Sequence, residues 1–344
     1  MNNYYEERNF KSNQKMKEIV ATLPPFCSYF FIGIESRTSE LTRLNYARDI
    51  YNFFSYLSEI KAKEIIEFTL DDLNSLTSLD LEYYLSWLTY YKKPDGKILK
   101  NNEKAKARKI SSVRSLFSYL YEKNFIKENV SSKIRMPKLH EKEIIRLESD
   151  EVEKLLNQTE FPRNLTDNQI KYCKNTAKRD NAILTLLLGT GIRVSELVGL
   201  NLEDFNFVEN AFNITRKGGN RVTLYFSTEV EEALKENIKW RLTLKDLPEN
   251  ENAMFLSLQK RRITVRAVEN LVKKYSLAVI PLKNITPHKL RSTYGTNLYR
   301  ETKDIYIVAD VLGHKDVNTT KKHYAAISDD IRKSVVDKVK LHKK

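Results

Sequence analysis

Apolar residues recur at helical spacing along most of this chain. Within 39–60, Leu41, Leu44, Ala47, Ile50, Tyr51, Phe54 and Leu57 form one stripe, which predicts an amphipathic helix. The segments "DLEYYLSWLTYY" (80–91) and "ARKISSVRSLFSYLYEKNFI" (107–126) repeat the pattern. Between them, "KKPDGKILKNNEKAKARK" (92–109) sets eight basic residues against two acidic ones around a Pro-Asp-Gly turn. Such a run is a solvated loop, or a source of phosphate contacts at the start of the next helix. Pro137 bars helix continuation, and Ser149 is placed to open a new helix with Glu151 and Glu153 in its first turn. An interdomain linker is expected at 136–148, after a helical domain at 1–135.

In the second half the pattern breaks more often. Residues 179–205 predict a buried helix, a break at Gly189-Thr190-Gly191 and a second helix from near Arg193. An arginine at a helix beginning can hold an anion there, or pair with Glu196 one turn on. "AFNITRKGGNRVTLYF" (211–226) alternates Phe212 and Ile214, then Val222, Leu224 and Phe226, about a Gly-Gly turn. That is a β-hairpin with Lys217 at its tip, a place where most lysines only aid solubility. In "ITPHKLRSTYGTNLYRE" (285–301), Thr286 is the expected N-cap and Pro287 the first helical residue. His288 and Arg291, three apart, then share one helix face. "LGHKDVNTTKKHY" (312–324) sets His314 and Tyr324 ten residues apart. Its plain reading is a helix end followed by a surface helix.

Composition narrows the partners. A chain of 344 residues, 41% hydrophobic and 30% charged, suits two globular domains. Fifty-nine Lys and Arg against 45 Asp and Glu leave a net charge of +14, which suggests a polyanion such as nucleic acid. With 9 glycines and 8 prolines, long helices should dominate. Cys27 and Cys173 stand far apart, outside any CxxC spacing, so neither a disulfide framework nor a zinc site is expected. His288, His314 and His323 lack the neighbours that a metal site needs. The N-terminus is too polar for a signal peptide, and "FCSYFFIGI" falls short of the roughly 18 residues of a membrane span. A cytoplasmic protein with no membrane partner is the expectation.

Arg193, Lys217, His288, Arg291, His314 and Tyr324 suit one chemistry when taken together. Their motifs resemble those of the tyrosine recombinase, or phage-type integrase, family, most of all its Xer branch. "GTGIRVSEL" is similar to the first arginine box, "HKLRSTYGT" to the His-x-x-Arg box and "LGHKDVNTTKKHY" to the histidine–nucleophile box. The resemblance covers about residues 35 to 330, with a hairpin lysine between the first two boxes. Two departures stand out. Ser292 replaces a histidine often found after the second arginine, and "RKGGNR" replaces the frequent Gly-Lys-Gly, which leaves Arg216 beside Lys217 for the hairpin role.

The resemblance implies a mainly α fold: a helical SAM-like core-binding domain, then an α-rich catalytic domain with a small antiparallel β-sheet, the DNA breaking-rejoining fold. It sets an extension at 1–30, the catalytic domain at 149–327 and a tail at 328–344 that contacts a neighbouring protomer. It also implies that Tyr324 attacks a DNA phosphodiester to give a 3′-phosphotyrosyl link and a 5′-hydroxyl. Arg193 and Arg291 would clamp the nonbridging oxygens, and His314 would donate a further hydrogen bond. His288 would be the base and Lys217 the general acid, with His323 a bystander. Neither metal nor cofactor is implied, because the cationic side chains supply the charge. DNA contacts are expected from Arg43, Lys104, Lys106, Arg108 and Arg114. The expected partner is double-stranded DNA with an inverted-repeat site, bound by a homotetramer at synapsis and by a monomer or dimer otherwise. The role would be chromosome dimer resolution or mobile-element integration and excision. A type IB topoisomerase or a catalytically idle DNA-binding factor is the alternative.

Overall fold

A computed structural model describes residues 3–92, 96–138, 145–216, 219–248, 251–314 and 316–317. The chain divides into two compact units, Met1–Lys142 and Glu143–Lys344. Of the expected linker at 136–148, residues 139–144 lie outside the described residues.

Among the described residues, the first unit is built on α1 (Asn3–Val20), α2 (Cys27–Gly33), α3 (Glu40–Lys61), α4 (Leu70–Asn74), α5 (Ser78–Trp87) and α6 (Glu103–Glu122). Ser39 caps α3, accepting the Thr42 N–H at 3.4 Å. The predicted stripe buries Leu44, Ala47, Ile50, Phe54 and Leu57. Leu41 corrects it, being 47% exposed. It lies six residues before Ala47, about 120° round the helix from the middle of the stripe. The residues expected as an N-terminal extension belong to the core, to which they give Met16, Leu23, Phe26, Cys27 and Phe30. Burial pushes the Cys27 thiol well up from its ordinary pKa.

Two expectations about the basic stretch change. The helix expected to reach residue 91 stops at Trp87, and Tyr90–Lys92 (β1) pairs antiparallel with Ile98–Lys100 (β2). Aromatic residues favour a pleated strand, and Gly96 at φ +83° takes a turn conformation open to glycine. Pro94 and Asp95 of the expected turn lie outside the described residues. Helix α6 then begins at Glu103 rather than near 107, because Asn102 accepts the Ala105 N–H at 2.9 Å. A buried polar tie joins α3 to α6. Asp49, 1% exposed, accepts the Ser112 hydroxyl at 2.8 Å and an Arg108 N–H.

The second unit holds α7 (Ser149–Glu160), α8 (Asp167–Thr190), α9 (Val194–Leu197), α10 (Thr228–Leu242), α11 (Val265–Val279), α12 (Pro287–Thr302) and α13 (Ile305–Leu312). Helix α7 starts as expected, but Glu148 is its cap, with its N–H on Glu151 Oε2 at 2.8 Å. The hairpin is β4 (Ala211–Thr215) and β5 (Arg221–Tyr225), with Phe212 opposite Leu224 and Ile214 opposite Val222. A two-residue strand that the sequence pattern did not reveal, β3 (Phe205–Asn206), completes the sheet in the order β3-β4-β5.

Helix α8 is central and packs against α7, α10 and α12. Its buried Asp180 accepts the Tyr275 hydroxyl of α11 at 2.8 Å, the Thr176 hydroxyl at 3.0 Å and Arg179 Nε at 2.9 Å. Burial, then the Asp180 charge, pushes the Tyr275 phenol far up, so it stays a donor. No helix among the described residues is long and apolar enough to cross a membrane.

One carboxylate makes stability pH-dependent. Asp72 in α4 accepts Lys63 Nζ at 2.6 Å, the Thr69 N–H at 2.8 Å and the Thr69 hydroxyl at 3.0 Å. The Lys63 hydrogen bond, then the Thr69 amide, lower its pKa from 3.8 to about 2. A depressed folded-state pKa gives stability that is present above the unfolded value and lost as pH falls toward the folded one. Thermal melts should therefore show a fall between about pH 4 and pH 2 that is shallower in Asp72→Asn than in the parent. Equal slopes would place the acid sensitivity elsewhere.

Candidate active site

Three of the sequence boxes meet at the end of α13. The first enters through α8, which runs on through Gly189, the expected break, and stops at Gly191 with φ +62°. The second rides on α12, where Thr286 is the N-cap residue and Pro287 the first helical one, as expected. The Thr286 hydroxyl makes no capping bond, a correction: its backbone carbonyl takes the Lys289 and Leu290 N–H groups at 2.8 and 3.1 Å. The third begins at Leu312, the last residue of α13, a helix capped by Asp304 through the Tyr306 N–H at 2.7 Å. Gly313 closes α13 at φ +62°, and the His314 N–H returns to the Ala309 carbonyl at 2.9 Å.

A helix end leaves carbonyls without intrahelical partners. Here arginines from three elements reach four successive carbonyls, the first of which, that of Asp310, also accepts the Gly313 N–H at 2.8 Å. Arg216 at the end of β4 donates Nη2 to the Val311 carbonyl at 2.9 Å and both Nη atoms to that of Asp310 at 3.3 and 3.4 Å. Arg291 of α12 donates Nη2 to the Leu312 carbonyl and Nη1 to the Gly191 carbonyl at 2.5 Å. Arg193 donates Nη2 to the Gly313 carbonyl at 3.1 Å. Arg291 is 5% exposed, whereas the Arg193 side chain is 37% exposed.

Arg193 was open to two readings. Its helix, α9, is only four residues long, so a dipole at its start is not what would draw an anion. The pairing with Glu196 is present: this buried carboxylate accepts the Arg193 N–H at 2.8 Å and Nη1 at 2.9 Å. Glu196 thus aims the guanidinium toward α13, a service the sequence disclosed only as helical spacing. His288 is exposed one turn before Arg291, and His314 is half-buried directly after Gly313. The Ser292 hydroxyl turns back to the His288 carbonyl at 3.0 Å. Thr293, unforeseen, anchors α12 by accepting the Leu147 N–H at 3.0 Å. Lys217 and Tyr324, like the tail at 328–344, lie outside the described residues.

The five expected DNA contacts of the first unit divide. Arg43 is corrected: its side chain is 5% exposed and donates Nη1 to the carbonyls of Glu35 and Thr38 at 2.8 and 2.7 Å. It folds back because the segment leading into α3 leaves these acceptors inside. Lys106 is mostly covered and bonds Glu103 at 2.7 Å and the Thr89 hydroxyl at 3.3 Å. Lys104 is exposed, Arg108 is 53% exposed beyond its bond to Asp49, and Arg114 is half-buried. Lys104 and Arg108, four apart, share one face of α6.

Residues 146–330 match the model of the phage integrase family, and residues 29–124 that of its N-terminal SAM-like domain. The chain belongs to the phage integrase family. Over 326 residues it is 32% identical to tyrosine recombinase XerC of Caldanaerobacter subterraneus subsp. tengcongensis, covering 91% of this chain and 85% of that protein. Over 352 residues it is 28% identical to tyrosine recombinase XerS of Streptococcus sanguinis, covering 95% of this chain and 98% of that one. The crystal structure of XerH site-specific recombinase bound to palindromic difH substrate, a post-cleavage complex, aligns with TM-score 0.63 and 19% identity over 88% of this chain and 81% of its own. The Tn1549 transposon integrase in complex with transposon right end DNA aligns with TM-score 0.65 and 16% identity, over 90% and 99%. These two structures carry the fold: a SAM-like helical domain followed by an α-rich domain with a small antiparallel sheet. As an integrase-family member, the protein is a tyrosine recombinase, an enzyme that breaks and rejoins DNA at specific sites.

Gly191 links two boxes of this integrase, since its carbonyl receives Arg291 and its backbone is left-handed. A Cβ there would overlap the Tyr294 ring and meet Leu312 Cδ2 at 3.0 Å. Gly191→Ala should lower unfolding free energy by roughly 3 kcal/mol, from left-handed backbone strain plus overpacking. A urea titration checks this, and an unchanged midpoint would mean that the turn does not depend on glycine.

Proposed function

We propose that Arg193, Lys217, His288, Arg291, His314 and Tyr324 form one active site for metal-independent strand cleavage. The observation that carries the reading is the meeting of Arg193 and Arg291 on the successive carbonyls of Gly313 and Leu312, beside His314. Residues about a hundred positions apart in the chain thus converge where the nucleophile box begins.

In the proposed reaction the Tyr324 hydroxyl oxygen bonds to phosphorus while the bond from phosphorus to the 5′-oxygen breaks. The phenolic proton passes to His288, and the departing 5′-oxygen takes a proton from the Lys217 ammonium. Arg193 and Arg291 balance the charge that gathers on the nonbridging oxygens, and His314 adds a hydrogen bond. The phosphotyrosyl ester conserves the energy of the backbone bond, so a 5′-hydroxyl from another strand can reverse the step without ATP. Such exchange between two recognition sites suits a cytoplasmic recombinase of the Xer kind, acting in chromosome dimer resolution or on a mobile element.

Phosphate contacts from Lys104 and Arg108 in the first unit would add sequence-independent affinity that weakens with salt. Assembly as a tetramer on synapsed DNA is proposed from the tail, where Ile327, Ile331, Val335 and Val339 recur every fourth residue. A stripe so close to Tyr324 would let docking on a neighbouring protomer control the nucleophile.

Tyr324→Phe should abolish covalent protein–DNA complexes on denaturing gels while leaving DNA binding nearly intact in mobility-shift assays. Cleavage above background by this variant would remove Tyr324 from the role. Truncation after Ala326 should preserve half-site binding but impair cooperative binding and strand exchange. Recombination at the parental rate would refute docking in trans.

A further inference from the structure

The chemistry above gives Arg216 no part, although this side chain is committed to α13 on several sides. We infer that Arg216 is a positioning residue, a latch that ties the chain at the end of β4 to the end of α13 and so sets the point from which Lys217 extends. The inference rests on the reading of Lys217 as general acid.

Three observations carry it. Arg216 donates to the carbonyls of Val311 at 2.9 Å and Asp310 at 3.3 and 3.4 Å, so its planar fork straddles the last turn of the helix. Gly313 leaves the guanidinium its space: at φ +62° any Cβ there would overlap Arg216. The turn also closes on this residue, because the Arg216 N–H donates to the Asn220 carbonyl at 2.8 Å and the Gly219 N–H to the Arg216 carbonyl at 3.0 Å. Lys217 follows directly, with its Cα about 3.8 Å from that of Arg216 by covalent geometry. A side chain anchored at Arg216 therefore sets the origin from which Lys217 reaches.

Loss of Arg216 would fall on the hairpin rather than on α13. The helix end keeps Arg193 on Gly313 and Arg291 on Leu312. Among the described residues, the hydrogen bonds joining the hairpin to α13 come from Arg216. A general acid displaced by about 1 Å loses roughly 100-fold in rate.

The test uses the full-length protein and a nicked suicide duplex carrying a site recovered from DNA covalently trapped by the parent enzyme. Single-turnover cleavage is followed on the ordinary phosphodiester and on a 5′-bridging phosphorothiolate, whose sulfur departs without needing a proton. Arg216→Ala should be slower by about 100-fold on the first substrate and near parental on the second. Arg216→Lys, which retains one donor group for one carbonyl, should recover part of the loss, and it keeps the test open if the alanine variant folds poorly. The Arg216→Ala, Lys217→Ala double variant should be no slower than Lys217→Ala alone. Rescue by sulfur of Lys217→Ala but not of Arg216→Ala would overturn the latch and leave Lys217 as the acid. Multiplying defects in the double variant would overturn it as well. Equal slowing of Lys217→Ala on both substrates would instead overturn the reading beneath, whatever Arg216→Ala does.

Discussion

The C-terminus of α13 leaves carbonyls that the helix itself does not pair, and arginine side chains supply their donors. Guanidiniums are suited to the task, since each has several N–H groups in one plane and keeps its charge at any working pH. Three of them, from the end of β4, the turn after α8 and the start of α12, take the carbonyls of residues 310 to 313. One requirement of backbone hydrogen bonding thereby gathers the sequence boxes at one place. The negative end of the helix also holds cations that would otherwise repel one another.

What surrounds this junction keeps its parts still. Asp180, buried at the middle of α8, ties that helix to α11 through Tyr275 and to its own Thr176 and Arg179. Glu196 holds the Arg193 guanidinium from the other side, and Thr293 fixes α12 to the chain that enters the unit. Glycines at 191 and 313 are required because both stand in left-handed backbone beside a neighbouring side chain. Each contact is worth little alone. Together they preorganise positive charge, which is the costly part of stabilising a charged transition state.

The first unit follows a different logic. Its core mixes aliphatic side chains with a cluster of buried aromatic ones, among them Phe30, Phe53, Phe54, Tyr84 and Phe117. One buried carboxylate, Asp49, joins α3 to α6 through Ser112 and Arg108. Arg108 serves both purposes, anchoring the helix pair and showing the rest of its side chain to solvent. Arg43 looks alike in sequence and does the opposite, spending its donors on carbonyls inside.

Periodicity and the three boxes in order determined the helical class, the hairpin, the family and the identity of the six residues proposed for catalysis. Those signals are local: spacing of apolar positions, turn residues and short motifs survive in one dimension. Tertiary structure alone decided the rest. Whether Arg43 or Lys104 faces solvent, and whether Leu41 joins the core, depends on what packs across from each, which no spacing records. That the first 30 residues contribute Met16, Leu23, Phe26, Cys27 and Phe30 to the core depends on tertiary packing, such as that of α1 on α3. The partnership of Arg216 with α13 lay beyond reading because its acceptors are backbone carbonyls, which every residue carries and no side chain announces.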